Sequence, residues 1–352
     1  MRPAAFLDVS MFAVPSAIDT VDGLHKIFDR LEVWAEKCGR QNCINIVVSD
    51  DAVEVLEAAN SFPAIHNIQA LLELHHLNEV FSARDINKRI FKILSRAGSL
   101  REVIGVQIDT CDAQCAAAEI LKGTSQVLLD STHKLTCAIG VLVQGDPAIG
   151  EILAIVPGFN IEEESMGVFA SDIRATMSDG TTRTVTDCEI SVPVTESPIS
   201  FINSLAPAAL WRMASDGSEL ALPIALRAAQ KLEVVVDHLP LSYGRKFGIG
   251  ENFYASLAAN QAAGTHKHAG ATLDRCSTVV ADNTLLFERD FQKKRPIDKA
   301  GSRRVHVTKK GAGLRLMFWE EQTGRIEFAN IGVKHEEAIL NGSPSRAFQA
   351  IF

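Results

Sequence analysis

The stretch from Gly301 to Val333 does most to restrict what this chain can fold into. Three strand-forming runs follow one another, Gly301–Thr308, Leu314–Trp319 and Arg325–Val333, with glycine-bearing segments at Lys309–Gly313 and Gly324 between them. Short β-rich runs punctuated in this way predict an antiparallel meander. Side chains alternate along a strand, so Leu314, Leu316 and Phe318 should share one face and Arg315 and Met317 the other. Upstream, Asn252–Gln261 and Ala271–Val280 read as helices, and the apolar face of the sheet is expected to pack on them around Phe253 and Leu273.

The same region carries the main charge asymmetry. Between Arg289 and Arg315 lie ten Lys or Arg and two acids, Asp290 and Asp298. From residue 286 onward there are 13 basic and 8 acidic residues, whereas residues 1–285 carry 22 and 35, within a chain of net −8. An acidic body with a basic C-terminal module points to a polyanion at that end, and RNA or DNA phosphate is the usual one. Arg303 and Arg304 are strand neighbours and must point to opposite faces, so at most one of them serves a common site, and His306 shares the face of Arg304.

Ser302-Arg303-Arg304-Val305 on one strand, Leu314-Arg315-Leu316-Met317-Phe318 on the next, and a last strand ending Val333-Lys334-His335 resemble the RelE/YoeB group of bacterial toxins, small messenger-RNA endonucleases. The resemblance covers residues 243–337. It implies a RelE-like domain of two helices packed on an antiparallel sheet, cutting RNA by attack of a 2′-hydroxyl with neither metal nor cofactor. That chemistry needs a base, an acid and cations for the phosphorane charge. By the resemblance Arg315 holds the scissile phosphate, His335 is acid or base, and Asp298 is the one upstream acid offered as base. Arg303, Arg304, Lys309 and Lys310 grip flanking phosphates. Glu336 and Glu337 stand where that branch has a tyrosine.

Nothing comparable identifies residues 1–240. Residues 4–14 read as an opening strand, and Val21–Lys37 as a helix with Leu24, Ile27, Phe28, Leu31 and Trp34 on one face. Ile44–Val48 reads as a strand, and Asp51 with Glu54 as a capping box for a helix to Ala59. Helices are expected near Ile65–Leu77 and Asp85–Ser95. Val127–Leu129, Ala138–Val143 and Ile152–Val156 look like strands, Asp179-Gly180 marks a hairpin, and Leu205 to Val236 is again helical. Pro240 and the glycines at 244, 248 and 250 suggest a boundary. The expected organisation is an α/β domain over 1–125, a mixed, β-rich α+β middle over 126–239 and the RelE-like α+β domain over 240–352.

No secretory signal and no apolar run of about 18 residues is present, so neither a membrane span nor an export signal is expected and the address is cytoplasmic. The seven cysteines are scattered, with no C-x-x-C, which predicts reduced thiols rather than zinc ligands. His75-His76 and His266-Lys-His268 are poor metal pairs. The function expected is an RNA endonuclease or RNA-binding effector of a toxin or anti-phage defence system, restrained by its acidic N-terminal region. Its partners would be RNA, free or on the ribosome, or another nucleic acid, and proteins of that system. Two alternatives remain. One is a non-catalytic subunit that binds nucleic acid or protein. The other is a metal-dependent, PIN-like nuclease with Asp8, Asp50, Asp51 and Glu54 near strand ends, although Asp50 and Asp51 equally suit a helix N-terminus.

Overall fold

The structure, a computed structural model, describes residues 2–14, 20–38, 43–115, 125–158, 165–235, 244–281, 289–308, 313–336 and 338–345. The chain divides into two compact units, Pro3–Ser204 and Leu205–Phe352 with Met1–Arg2. Both mix helix and sheet.

The N-terminal unit begins with β1 (Ala4–Leu7), α1 (Val21–Lys37) and β2 (Asn45–Val48). It continues through α2 (Ala52–Ala58), α3 (Ile65–Leu74), α4 (Ala83–Arg96), β3 (Gly98–Ser99), α5 (Leu100–Ile104), β4 (Val106–Cys115), α6 (Gln126–Gly145), α7 (Pro147–Gly150) and β5 (Leu153–Val156). The hairpin β6 (Ser165–Met177) and β7 (Thr182–Pro193) and then α8 (Pro198–Ser204) complete it. Strands β3-β2-β1-β5 make a parallel sheet, and β4-β6-β7 an antiparallel one. All four residues of β1 and of β5 are buried, as parallel strands covered on both faces require. The stripe on α1 is buried as its periodicity predicts, and Thr20 caps the helix by accepting from Gly23 N at 3.2 Å.

Three expectations need correction here. The opening strand stops at Leu7, because the Asp8 carboxylate accepts from Ser10 N at 2.8 Å and starts a 3₁₀ turn over Val9–Phe12. Asp51 precedes α2 without a side-chain cap bond; its carboxylate takes the Ser49 hydroxyl instead. The runs at 127–129 and 138–143 are not strands but parts of α6. That helix is buried nearly all round from Ser131 to Leu142, so its apolar residues show no one-sided stripe and its sequence mimics a buried strand.

Gly158 follows β5 and donates its N–H to Ser10 Oγ at 3.2 Å. A Cβ there would lie 2.2 Å from Met11 N and 2.3 Å from Ser10 C. The obstructing atoms are backbone and cannot swing aside. Gly158→Ala is therefore expected to destabilise the protein by about 2–3 kcal/mol in denaturant titrations. Gly167→Ala, which meets nothing within 4 Å, serves as the control.

The C-terminal unit runs α9 (Pro207–Met213), α10 (Ala221–Lys231), β8 (Phe247–Ile249), α11 (Phe253–Ala259), α12 (Ala269–Ala281), β9 (Arg289–Lys294), β10 (Gly301–His306), β11 (Arg315–Glu320) and β12 (Ile326–Gly332). The helical stretch expected from 205 is thus two helices, separated by a 3₁₀ turn at Gly217–Glu219. The predicted meander is present as β10-β11-β12, but it sits inside a five-stranded sheet of order β8-β12-β11-β10-β9. At its edges β9 pairs antiparallel with β10, and β8 parallel with β12. Pro240, Lys309, Lys310, Glu337 and residues 346–352 lie outside the described residues. Among the described residues no helix is long and apolar enough to cross a membrane.

Candidate functional site

The two faces of the C-terminal sheet differ, and the difference follows from the alternation of β11. On one side Val305, Leu314, Leu316, Phe318, Ile326 and Phe328 join a core with Phe253 and Leu257 of α11, Leu273 and Cys276 of α12, and Ile224 of α10. Phe253 stacks on Phe328 with ring centroids 5.5 Å apart, and Phe318 meets Phe328 edge-on at 6.4 Å. Glu320 lies on this side too. It accepts from Arg303 Nε at 2.7 Å and also pairs with Arg245.

The other face carries Arg315, Met317 and Trp319. In register, Arg304 lies opposite Met317, and Arg315 lies between His306 on β10 and Gly332 on β12. Arg304, His306 and Arg315 therefore share one end of this face, and Arg303 does not belong with them. His335 follows β12 and is exposed. Lys334 packs by the segment leading into β11, where a Cβ on Gly313 would sit 3.3 Å from its Cβ. Glu336 folds over Gly332, with its Cγ 2.6 Å from where a Cβ would lie. An acid thus stands beside the register partner of Arg315.

The other end of the face is closed. Arg295, 0% exposed, donates from Nε to both carboxylate oxygens of Asp298 at 3.0 and 3.1 Å and from Nη1 to Glu327 Oε1 at 2.5 Å. Its guanidinium carbon lies 5.5 Å from the centre of the Trp319 ring. Residues 338–345 lie across this end as a strap. Trp319 Nε1 donates to Leu340 O at 2.9 Å, Asn330 bonds both Ala338 O and Leu340 N at 3.0 Å, and Ile339 packs with Met317, Trp319 and Ala329. Ser345 donates from N and Oγ to Glu327 Oε2 at 2.6 and 2.9 Å.

This closure decides where Asp298 stands. The Arg295 guanidinium, with the Ala300 amide, holds its carboxyl below the usual carboxylate range. Arg295 lies over Trp319, which is four residues and roughly 13 Å along β11 from Arg315 at 3.3 Å per residue, so Asp298 is held toward the opposite end of the strand. The structure brings Arg304, Arg315 and His306 to one end, leaves His335 exposed nearby in sequence, and puts Asp298 in a buried ion cluster at the other end. Sequence reasoning missed that cluster. Its one local signal was Arg295 and Asp298 flanking Pro296; Glu327 lies 32 positions from Arg295.

In the N-terminal unit Asp8 is 1% exposed, with Ser10 and Thr132 against its carboxyl, and burial pushes its pKa up. Asp50 and Asp51 are exposed beyond β2. They border a cavity of about 330 Å³ with Arg101 and Lys134, and Asp50 Oδ2 accepts from Arg101 N at 3.1 Å. Among the described residues no group of three or more His, Cys, Asp or Glu is placed to hold a metal ion.

No family model matches the chain, and no curated protein or solved structure is significantly similar to it.

Proposed function

We propose that the C-terminal unit acts on RNA in the manner of RelE-type toxins, as the effector of a bacterial toxin or anti-phage defence system. One observation carries this reading: Arg304, His306 and Arg315 lie together at one end of one face of a meander whose other face packs into the aromatic core. Arginine suits a scissile phosphate because its planar fork binds two oxygens and stays charged. Arg315 is the phosphate ligand in this reading, and Arg304 contacts a neighbouring phosphate together with Lys309 and Lys310, which follow β10 in the chain. His306 and His335 supply the proton transfers, which takes the base role away from Asp298. Arg303 and Asp298 take structural roles.

The strap over residues 338–345 favours a second reading, a non-catalytic subunit that uses the same basic end to hold nucleic acid or protein. It covers Trp319 and reaches Met317 and Asn330, which shortens the track available to a strand.

Growth arrest and transcript cleavage on induction of the full chain separate the two readings: the first requires both, the second neither. A fragment carrying the C-terminal unit alone should begin at Leu205 rather than at 240, because Ile224 and Ala228 of α10 are part of its core. RNA affinity of the purified chain should fall with salt at a log–log slope of about −0.7 per phosphate, hence about −1.4 for the two phosphates of this reading. Lys309→Ala with Lys310→Ala should flatten that slope. Salt-independent binding in a filter or anisotropy assay would leave the phosphate reading without support.

A further inference from the structure

The N-terminal unit holds a thiol pair that the proposed RNA chemistry does not use. Helix α6 packs on β4, and Asp130, Lys134 and Cys137 follow one another along it at spacings of four and three, which places them on one face. Cys111, in β4, faces that row. Its sulfur is hydrogen-bonded to the Cys137 thiol, and Lys134, Asp130 and Asp112 are the charged groups around it. Cys111 is half-buried, whereas Cys137 is 0% exposed.

Three buried thiols give the contrast. Burial pushes Cys38 up to about 12 and also raises Cys188 and Cys276, so these thiols stay protonated and unreactive. At Cys111 the hydrogen bond from Cys137, with Lys134 close by, holds the thiol below its ordinary range against burial and two acids. A partly accessible thiol next to a cation, with a second thiol in reach, is the arrangement of a redox sensor with its resolving partner.

We propose that Cys111 and Cys137 form a peroxide-responsive dithiol, in which Cys111 is oxidised first and Cys137 closes the disulfide. The Cys111 thiolate attacks one oxygen of hydrogen peroxide, the O–O bond breaks, and hydroxide leaves to become water, giving a sulfenic acid. The Cys137 sulfur then attacks the Cys111 sulfur and displaces the sulfenic oxygen as a second water. Two thiols and one peroxide give one disulfide and two waters. The product ties α6 to the strand on which it packs, and a dithiol reductant reverses it.

The test is a peptide map of the full reduced chain after exposure to hydrogen peroxide. A Cys111–Cys137 linked peptide, lost on adding dithiothreitol, is expected as the major cross-link. Cys111→Ser should abolish it. Cys137→Ser should leave a Cys111 sulfenic acid that dimedone traps, and Cys43→Ser should change nothing. Iodoacetamide should label Cys111 ahead of Cys43, and Lys134→Met should slow that labelling by roughly threefold, since a lower thiol pKa raises the thiolate fraction while reducing its nucleophilicity. Peroxide linking Cys111 to Cys115, or modifying Cys43 first, would overturn the proposal. So would over-oxidation of Cys111 with no disulfide. The wild-type map decides the matter even if a variant folds poorly.

Discussion

Arg295→Ala is expected to cost the C-terminal unit about 3–5 kcal/mol, the largest loss of stability among single changes in its sheet. Removing one partner of a buried ion pair leaves the other charge uncompensated, and that penalty falls in this range. Glu327, whose side chain is 2% exposed, cannot reach solvent once Arg295 is gone, whereas Asp298, at 26%, partly can. The guanidinium also lies against Trp319, so its loss opens a gap in the small core that holds the strap. Arg295→Met with Glu327→Met should recover much of the loss, because replacing both charges by apolar groups leaves neither one buried alone. Equilibrium denaturation of the three proteins checks this, and a loss under about 1 kcal/mol for Arg295→Ala would show that the cluster is not held as described. The pH dependence follows from the direction of the Asp298 shift. Its folded pKa lies below the unfolded one, so its contribution is complete above the unfolded value near 3.9 and is lost as pH falls through the folded value. In Arg295→Ala that part of the acid sensitivity should disappear.

Arg295 also marks where the sequence stopped being readable. Within the basic run from Arg289 to Arg315 it counted as one more candidate contact for a polyanion, yet it is fully buried, and Arg303 is paired on the helix side of the sheet. A charge run reports composition, whereas counter-ions such as Glu320 and Glu327 are brought in by strand pairing that no local pattern encodes. The meander was legible because each of its strands follows the last across a short glycine-bearing segment, so alternation alone assigned Leu314, Leu316 and Phe318 to the core and Arg315 to the other face. The edge strands were not. β9 is basic and reads as a solvated loop, and β8 pairs in parallel with a strand that begins 79 positions later. In the N-terminal unit β1 and β5 were both evident as strands, but their pairing across about 150 residues was not. α6 failed for the opposite reason: it is buried on nearly every side, polar residues included, so its apolar residues mark no single face.

Arg315→Ala should reduce RNA cleavage by about 10²–10³-fold, equivalent to about 2.7–4 kcal/mol of transition-state stabilisation lost with one preorganised donor. The fold should survive, since Arg315 lies on the face away from the aromatic core of the sheet. Arg315→Lys should restore activity in part, because an ammonium is a point charge and cannot bridge two phosphate oxygens as a guanidinium does. His335→Gln should lower the rate, as the loss of the proposed proton-transfer group demands. Cleavage by the unaltered protein should be indifferent to EDTA. Single-turnover assays on one labelled RNA, with circular dichroism on each variant, read all of these outcomes. Cleavage that EDTA abolishes, or that survives Arg315→Ala but not Asp8→Asn, would move the active site to the N-terminal unit. Absence of cleavage by the unaltered protein, with tight salt-dependent binding that Arg315→Ala weakens, would make the basic end a docking site for RNA and the protein a subunit of a larger assembly.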